Sequence, residues 1–251
     1  MISKLPTKLL KGPLVDAAFE IRFNGAIPLS TVLPGYLYSQ WDGSSIERLP
    51  NAEIPEQIRN NDPNLQFAPL IRLKIENFFV SISDKSLQVS CRYPYPGWAL
   101  FEEQILKTLN TVNSINLVGP VVRYSLKYTD VLPSDLMQNT SDYLNAQIAI
   151  GGRGIDMTRV NLQTEILEGE AINLLQIVGR VEAQILETGE PKSGLLIDID
   201  SIRQIENTTL TLTDFITSAK AHLTSLHAVN KKMFFDCLSE QGLAALDPYY
   251  A

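Results

Sequence analysis

Cysteine and histidine are scarce in this chain, with two of each among 251 residues. Cys91 and Cys237 lie far apart and neither has a CxxC or CxxH context, so the sequence offers no disulfide framework and no local zinc motif. Both thiols are expected to be reduced and packed. Long hydrophobic runs are missing too: none approaches the roughly 20 residues that a membrane-spanning helix needs. The opening MISKLPTKLLKGP lacks the apolar core of a secretion signal, so the expectation is a cytoplasmic protein with no membrane contact. No GxSxG elbow occurs and neither cysteine has a histidine beside it, which leaves nucleophilic hydrolysis without local support. Low-complexity tracts and exact internal repeats are also absent; whether the two halves are distant copies is left open.

What is present is ordinary globular material. Apolar residues make up 45% of the chain and charged residues 20%, enough to bury one sizeable core or two smaller ones. The net charge of −7 is unevenly spread. Residues 1–132 carry 13 Lys or Arg against 12 Asp or Glu, whereas residues 133–251 carry 8 against 16. Nucleic-acid binding needs clustered cations, so the acidic half argues against that class of partner.

Hydrophobic periodicity divides the chain near Pro133. LVDAAFEIRF (14–23) alternates as a half-buried strand. A short helix is expected to open at Pro34, with Leu37 and Trp41 following. The Pro- and Asn-rich stretch from about Asp42 to Pro69 reads as a long surface connection. Residues 70–92 read as two strands joined at Asp84 and Lys85. Trp98, Phe101, Ile105, Leu109 and Val112 then recur at helical spacing, and VVRYSLKYTDVL (121–132) alternates again. Strand, helix, two strands, helix, strand is the βαββαβ order of ferredoxin-like domains. After it come strands at AQIAI, MTRVNLQTEIL, AINLLQIVGRVEAQIL and GLLIDIDSI. A long helix follows, opened by Thr211 and Asp214 as a capping box and striped by Leu212, Ile216, Ala219, Leu223, Leu226, Met233 and Cys237, with the polar Asn230 interrupting. A helix of about 27 residues is roughly 40 Å long, so a curved sheet or a partner subunit is expected to cover that stripe.

The fold class is therefore α+β with antiparallel sheets: a ferredoxin-like first half, residues 1–132, and a β-rich second half, residues 133–251, packed on the long C-terminal helix. The two could also form one continuous domain.

Candidate chemistry is thin. In GLLIDIDSI the alternation sets Ile197 and Ile199 on one face and Asp198 and Asp200 on the other. Two carboxylates are weak candidates for a divalent cation, since no third ligand is identified; a solvated strand face is the expected reading. His222 and His227 are five residues apart on a helix, about 140° of rotation, so they do not chelate one ion together. GGRG (151–154) fits neither GxGxxG nor a P-loop and reads as a hairpin turn. Arg22, Arg72 and Arg123 fall on three strands with a shared polar face, a candidate anion site. PYPGW (94–98) reads as a structural corner, with Tyr95 and Trp98 as an alternative ligand-stacking pair.

GPLVDAAFEIRF, LPGYLYSQW, IPEQIRNNDPNLQFAP, PYPGW, VVRYSLKY, LIDID and LHAVNKKMFFDCLS, taken in order, resemble a sporadically distributed bacterial protein family of unknown function and about 250 residues. PYPGW, LIDID and the LH…F segment (Leu226, His227, Phe234) carry the resemblance. It implies one complete protein, and its patchy distribution implies an accessory role, in defence or stress; it supplies no catalytic residues.

The expectation is a non-catalytic interaction protein, homo-oligomeric, with no cofactor. The alternative is a small-molecule binder or enzyme with a pocket between sheet and C-terminal helix, lined by Tyr95, Trp98, Arg123, Tyr124 and His227.

Overall fold

Strand β1 (Lys8–Leu9) is followed by β2 (Leu14–Phe23), α1 (Leu29–Gln40), β3 (Ser45–Arg48), α2 (Glu56–Asn61), β4 (Ile71–Ile75), β5 (Phe78–Ile82), β6 (Ser86–Cys91), α3 (Trp98–Asn113) and β7 (Val121–Pro133) in the computed structural model. Then come α4 (Thr140–Tyr143), β8 (Ala149–Ile150), β9 (Arg153–Gly154), β10 (Asn161–Glu168), β11 (Ala171–Gln184), β12 (Pro191–Gln204), α5 (Leu212–Cys237), α6 (Glu240–Ala245) and β13 (Pro248–Tyr249). The structure describes residues 5–42, 44–63, 65–133, 140–185, 187–206 and 209–250. The class is mixed α+β with antiparallel sheets and a long C-terminal helix. No helix among the described residues is long and apolar enough to cross a membrane.

The chain forms two compact units that are not successive halves. The first takes residues 1–17, 127–201 and 226–251; the second takes 18–126 and 202–225. Strands β2, β7 and β12 and helix α5 each give residues to both. In the first unit the strand order is β10, β11, β12, β7; in the second it is β7, β2, β6, β5, β4, β3.

Within the second unit three sequence expectations are revised. Residues 70–92 form three strands, because the chain turns at Glu76 and Asn77, with Glu76 at φ 42°, between β4 and β5. With β3 added, four strands rather than two separate α1 from α3. Helix α1 begins after Pro28, and Pro34 lies inside it. Leu29, Leu33 and Leu37, buried at spacing four, hold the helix although Pro34 removes one backbone donor. The stretch from Asp42 to Pro69 is not irregular throughout. It contains β3, a 3-10 turn and α2, and Arg59 fastens it to the β5–β6 turn through Asp84, N–O 2.8 Å, with both side chains nearly buried.

Helix α3 follows its periodicity. Phe101, Ile105, Leu109 and Val112 are wholly buried, each contributing about 1.5–3 kcal/mol of burial. Helix α5 opens as expected: the Asp214 amide donates to Thr211 Oγ1 at 3.1 Å, and the Thr211 hydroxyl donates to the Asp214 carboxylate at 2.7 Å. Its stripe is covered by the chain itself, so no partner subunit is needed for it. Leu212, Phe215, Ala219 and Leu223 are buried in the second unit, and Leu226, Asn230, Met233 and Cys237 in the first.

The first unit's core gathers Leu132, Leu175, Ile177, Leu195, Ile197, Ile199, Met233, Phe234 and Phe235. Asn230 belongs there because its amide donates to the Ile199 carbonyl at 2.9 Å and to Ser201 Oγ at 3.0 Å. Ser201 in turn donates to Asn173 Oδ1 at 2.6 Å, so the buried polar groups satisfy one another.

Candidate functional site

Strand β12 carries the aspartate pair with the alternation the sequence gives: Ile197 and Ile199 are buried, Asp198 and Asp200 half-buried. Asp198 is not simply solvated, however. Its carboxylate accepts the Thr129 hydroxyl at 2.6 Å and pairs with Lys127 Nζ at 3.1 Å, both from β7, and its side chain is 14% exposed. The expected solvated face is thus corrected at Asp198, since cross-strand donors from β7 reach the carboxylate before water does. Two further carboxylates feel it. Asp16, exposed on β2, has its carboxyl raised by partial desolvation at the sheet surface, which outweighs the opposing pull of Lys127; Asp198 adds to the rise. Asp130, buried on β7, is pushed up to about 8 by desolvation, with Asp198 adding repulsion. Among the described residues no group of three or more His, Cys, Asp or Glu side chains could hold a metal ion.

The five candidate pocket residues fall into separate sets among the described contacts. Tyr95 and Trp98 both pack edge-on against Phe101, at ring-centroid distances of 6.3 and 6.2 Å, and Phe78 stacks on the same ring at 6.4 Å. PYPGW is thereby a corner, with Gly97 at φ 100° admitting the chain to α3. Arg123 and Tyr124 are successive strand residues, which point to opposite faces. Arg123 approaches Glu20 at 3.8 Å, while Tyr124 meets Phe215 and His222 at 5.0 and 5.6 Å. His227 belongs to the first unit, where its Nδ1 lies 3.2 Å from the Tyr128 hydroxyl. Burial pulls His227 down to about 4, with Lys231 contributing, so its imidazole is neutral at neutral pH. Burial also lowers His222, with Arg203 as the second cause.

The remaining sequence candidates are placed as follows. Gly151 and Gly152 form the two-residue turn between β8 and β9 with φ of 57° and 76°, a hairpin. Burial pushes the Cys237 thiol up to about 12, with Asp236 reinforcing the rise, and both cysteines are free and buried; a thiol so placed is a poor nucleophile. Of the three arginines, Arg22 and Arg123 meet at Glu20, whereas Arg72 pairs with Glu47 at 2.7 Å.

Three groups escaped the sequence reading: the buried carboxyl of Asp130, the Arg59–Asp84 pair and the Asn173–Ser201–Asn230 network. Only Asp130 left a usable signal, as it occupies an alternate position with Tyr128 and Leu132 on the core side of YTDVL. In comparisons with known proteins, no family model matches the chain and no curated protein matches it significantly.

Proposed function

We propose that this protein works by binding a basic, partly apolar protein partner on the half-exposed sheet face of the first unit. One observation carries the reading. The β10–β11 register places Leu167 opposite Ile172 and Glu165 opposite Leu174. The alternate residues Ala171, Asn173, Leu175 and Ile177 are buried, while Ile172, Leu174 and Val178 stay half-exposed and Leu167 is 74% exposed. On β12 the corresponding half-exposed residues are Leu196, Asp198 and Asp200. An apolar strip edged by carboxylates suits a cationic, apolar ligand surface. The unit as a whole carries ten Lys or Arg against sixteen Asp or Glu.

The test is paired capture from the native bacterial cell with wild-type protein and with Leu174→Glu/Asp198→Lys. A partner that is held by wild type, released by salt and absent from the variant supports the reading; equal capture by both overturns it.

Self-association is a second reading, favoured by the exposed Leu167 on the outermost strand β10 of the first unit. Light scattering at high concentration tests it, and a strict monomer removes it. The non-catalytic and accessory parts of the proposal rest on the sequence: it offers no GxSxG elbow or cysteine–histidine pair, and the resemblance carried by PYPGW, LIDID and LH…F supplies no catalytic residues. For the fold, a ferredoxin-like second unit is supported by the order β7, β2, β6, β5 with α1 and α3 as connections, β4 and β3 being additions at the edge.

A further inference from the structure

Strand β10 is the outermost strand of the first unit's sheet. Sheet edges in natural proteins are kept from pairing with other chains by being short, or by lysine, proline or a bulge. The outermost strand of the second unit, β3, follows that rule: it has four residues, SIER, with Glu47 engaged by Arg72 and Arg48 by Glu53. Strand β10 does not. It has eight residues, NLQTEILE, with no Lys, Arg or Pro among them. Its register runs one to one from Asn161 opposite Val178 to Glu168 opposite Ala171, so no bulge turns the edge aside.

The ladder decides which backbone groups face outward. The Gly179 amide donates to the Val160 carbonyl at 2.8 Å, and residues 160 and 179 are direct partners when the β10–β11 register is continued. Alternation then commits the N–H and C=O groups of Leu162, Thr164, Ile166 and Glu168 to β11. Those of Asn161, Gln163, Glu165 and Leu167 point away from it, and among the described residues no hydrogen bond reaches them. All four residues are exposed.

The side chains select a second copy of this chain as the occupant. A two-fold axis at Thr164 overlaps the whole strand, with Asn161 opposite Leu167, Gln163 opposite Glu165 and Leu162 opposite Ile166. No carboxylate then faces another. Leu162 and Ile166, half-buried against the first unit's core, cover one another, and Glu168 arrives opposite Val160, beside Arg159, whose side chain is 88% exposed. An axis at Glu165 would set two carboxylates face to face. An axis at Gln163 would run the pairing into the 3-10 turn at Met157–Arg159.

We propose that two copies join through β10, antiparallel about a two-fold axis at Thr164, so that the first unit's sheet continues from one copy into the other. The proposal rests on the self-association reading and supplies its interface. Opposed residues share a face, so the half-exposed face bearing Leu174 and Asp198 continues across the dimer.

The test combines cross-linking with light scattering on the full chain. Thr164 is a non-hydrogen-bonded position at the axis, where opposed Cα atoms lie about 4.5 Å apart, within disulfide reach, and the native cysteines are buried. Mild oxidation of Thr164→Cys should give a disulfide-linked dimer on a non-reducing gel, and Leu167→Cys, opposite Asn161 rather than itself, should not. Gln163→Pro removes an outward donor from each copy and spares the β11 ladder, so the dimer should weaken at least about tenfold in light scattering. Circular dichroism checks folding; should the proline variant fail to fold, Gln163→Lys/Glu165→Lys, which sets lysine opposite lysine, decides with the same expected loss. A strict monomer at high concentration overturns the proposal together with self-association. A dimer that these variants leave intact, that Thr164→Cys does not cross-link, or that Leu167→Cys cross-links as readily, overturns the β10 interface and leaves self-association standing.

Discussion

The two units handle a buried carboxyl in opposite ways. In the second, Asp84 is met by Arg59 at 2.8 Å, and the Ser30 hydroxyl donates to its other oxygen. In the first, Asp130 is 7% exposed and the charge that acts on it is another carboxylate, Asp198. One is matched with a cation carried in on a long connection. The other is neutralised by holding its proton. Pairing fastens two segments together, whereas neutralisation fastens nothing and makes stability depend on pH.

Breaking the pair should have the largest effect. Arg59→Ala leaves Asp84 buried without its cation and frees the segment from Pro50 to Pro69, so a loss of about 4 kcal/mol is expected in urea denaturation at neutral pH. Replacing both partners by Arg59→Met/Asp84→Leu should recover most of it, since no lone buried charge remains. A single variant as stable as wild type would show that the pair is not what holds the connection.

For Asp130 the expected effect at neutral pH is of similar size, and it depends on pH. Its folded value of about 8 lies above the ordinary 3.8, so the folded chain holds a proton the unfolded chain has lost, and stability falls as pH rises from about 4 to about 8. Asp130→Asn removes that fall. The gain is on the order of 3 kcal/mol at pH 6, grows further toward pH 8 and vanishes near pH 4. Equal stability of the two proteins at pH 8 would show that the carboxyl is not neutralised in the fold.

The two parts of α5 give a third contrast. Its stripe is wholly apolar through Phe215, Ala219 and Leu223, but carries Asn230 in the part assigned to the first unit. Asn230→Leu keeps the stripe hydrophobic yet leaves the Ile199 carbonyl and the Ser201 hydroxyl short of a donor. About 2 kcal/mol should be lost, despite a change that any periodicity argument would favour.

That outcome marks where sequence reading stops. Elements governed by local rules were legible: the α3 periodicity, the Thr211–Asp214 cap, the Gly151–Gly152 hairpin and the alternation around Asp198. Antiparallel sheets with a long C-terminal helix followed from the same patterns. What escaped depends on partners distant in sequence. Arg59 finds Asp84 across 25 positions and Asn230 finds Ser201 across 29, and no local spacing encodes either meeting. Pro34 misled because proline suits the first turn of a helix so well that its toleration further in, under leucines at spacing four, was outweighed. The candidate arginines were partly legible. Arg22 and Arg123 do share a face, but the Glu20 carboxylate that joins them sits on β2 among residues that read as ordinary strand polarity.

His227 provides the smallest effect and the sharpest internal control, because it opposes Asp130 within the same unit. Its folded value of about 4 lies below the ordinary 6.5, so the unfolded chain takes up a proton first and stability falls as pH drops from about 6.5 toward 4. Between pH 7 and pH 5 the loss is on the order of 1.5 kcal/mol. Across that window Asp130 works the other way, gaining stability as pH falls. The two slopes nearly cancel between about pH 4 and 6.5, and the Asp130 slope stands alone from there to about pH 8. His227→Asn should therefore give a steady decline from pH 4 upward, and Asp130→Asn a rise to about pH 6.5 followed by a plateau. Proton NMR of the His227 ring supplies the direct check, with a midpoint near 4 in the folded chain. A midpoint near 6.5 would mean that the imidazole beside Tyr128 is hydrated, and the compensating slope would then be missing from wild type as well.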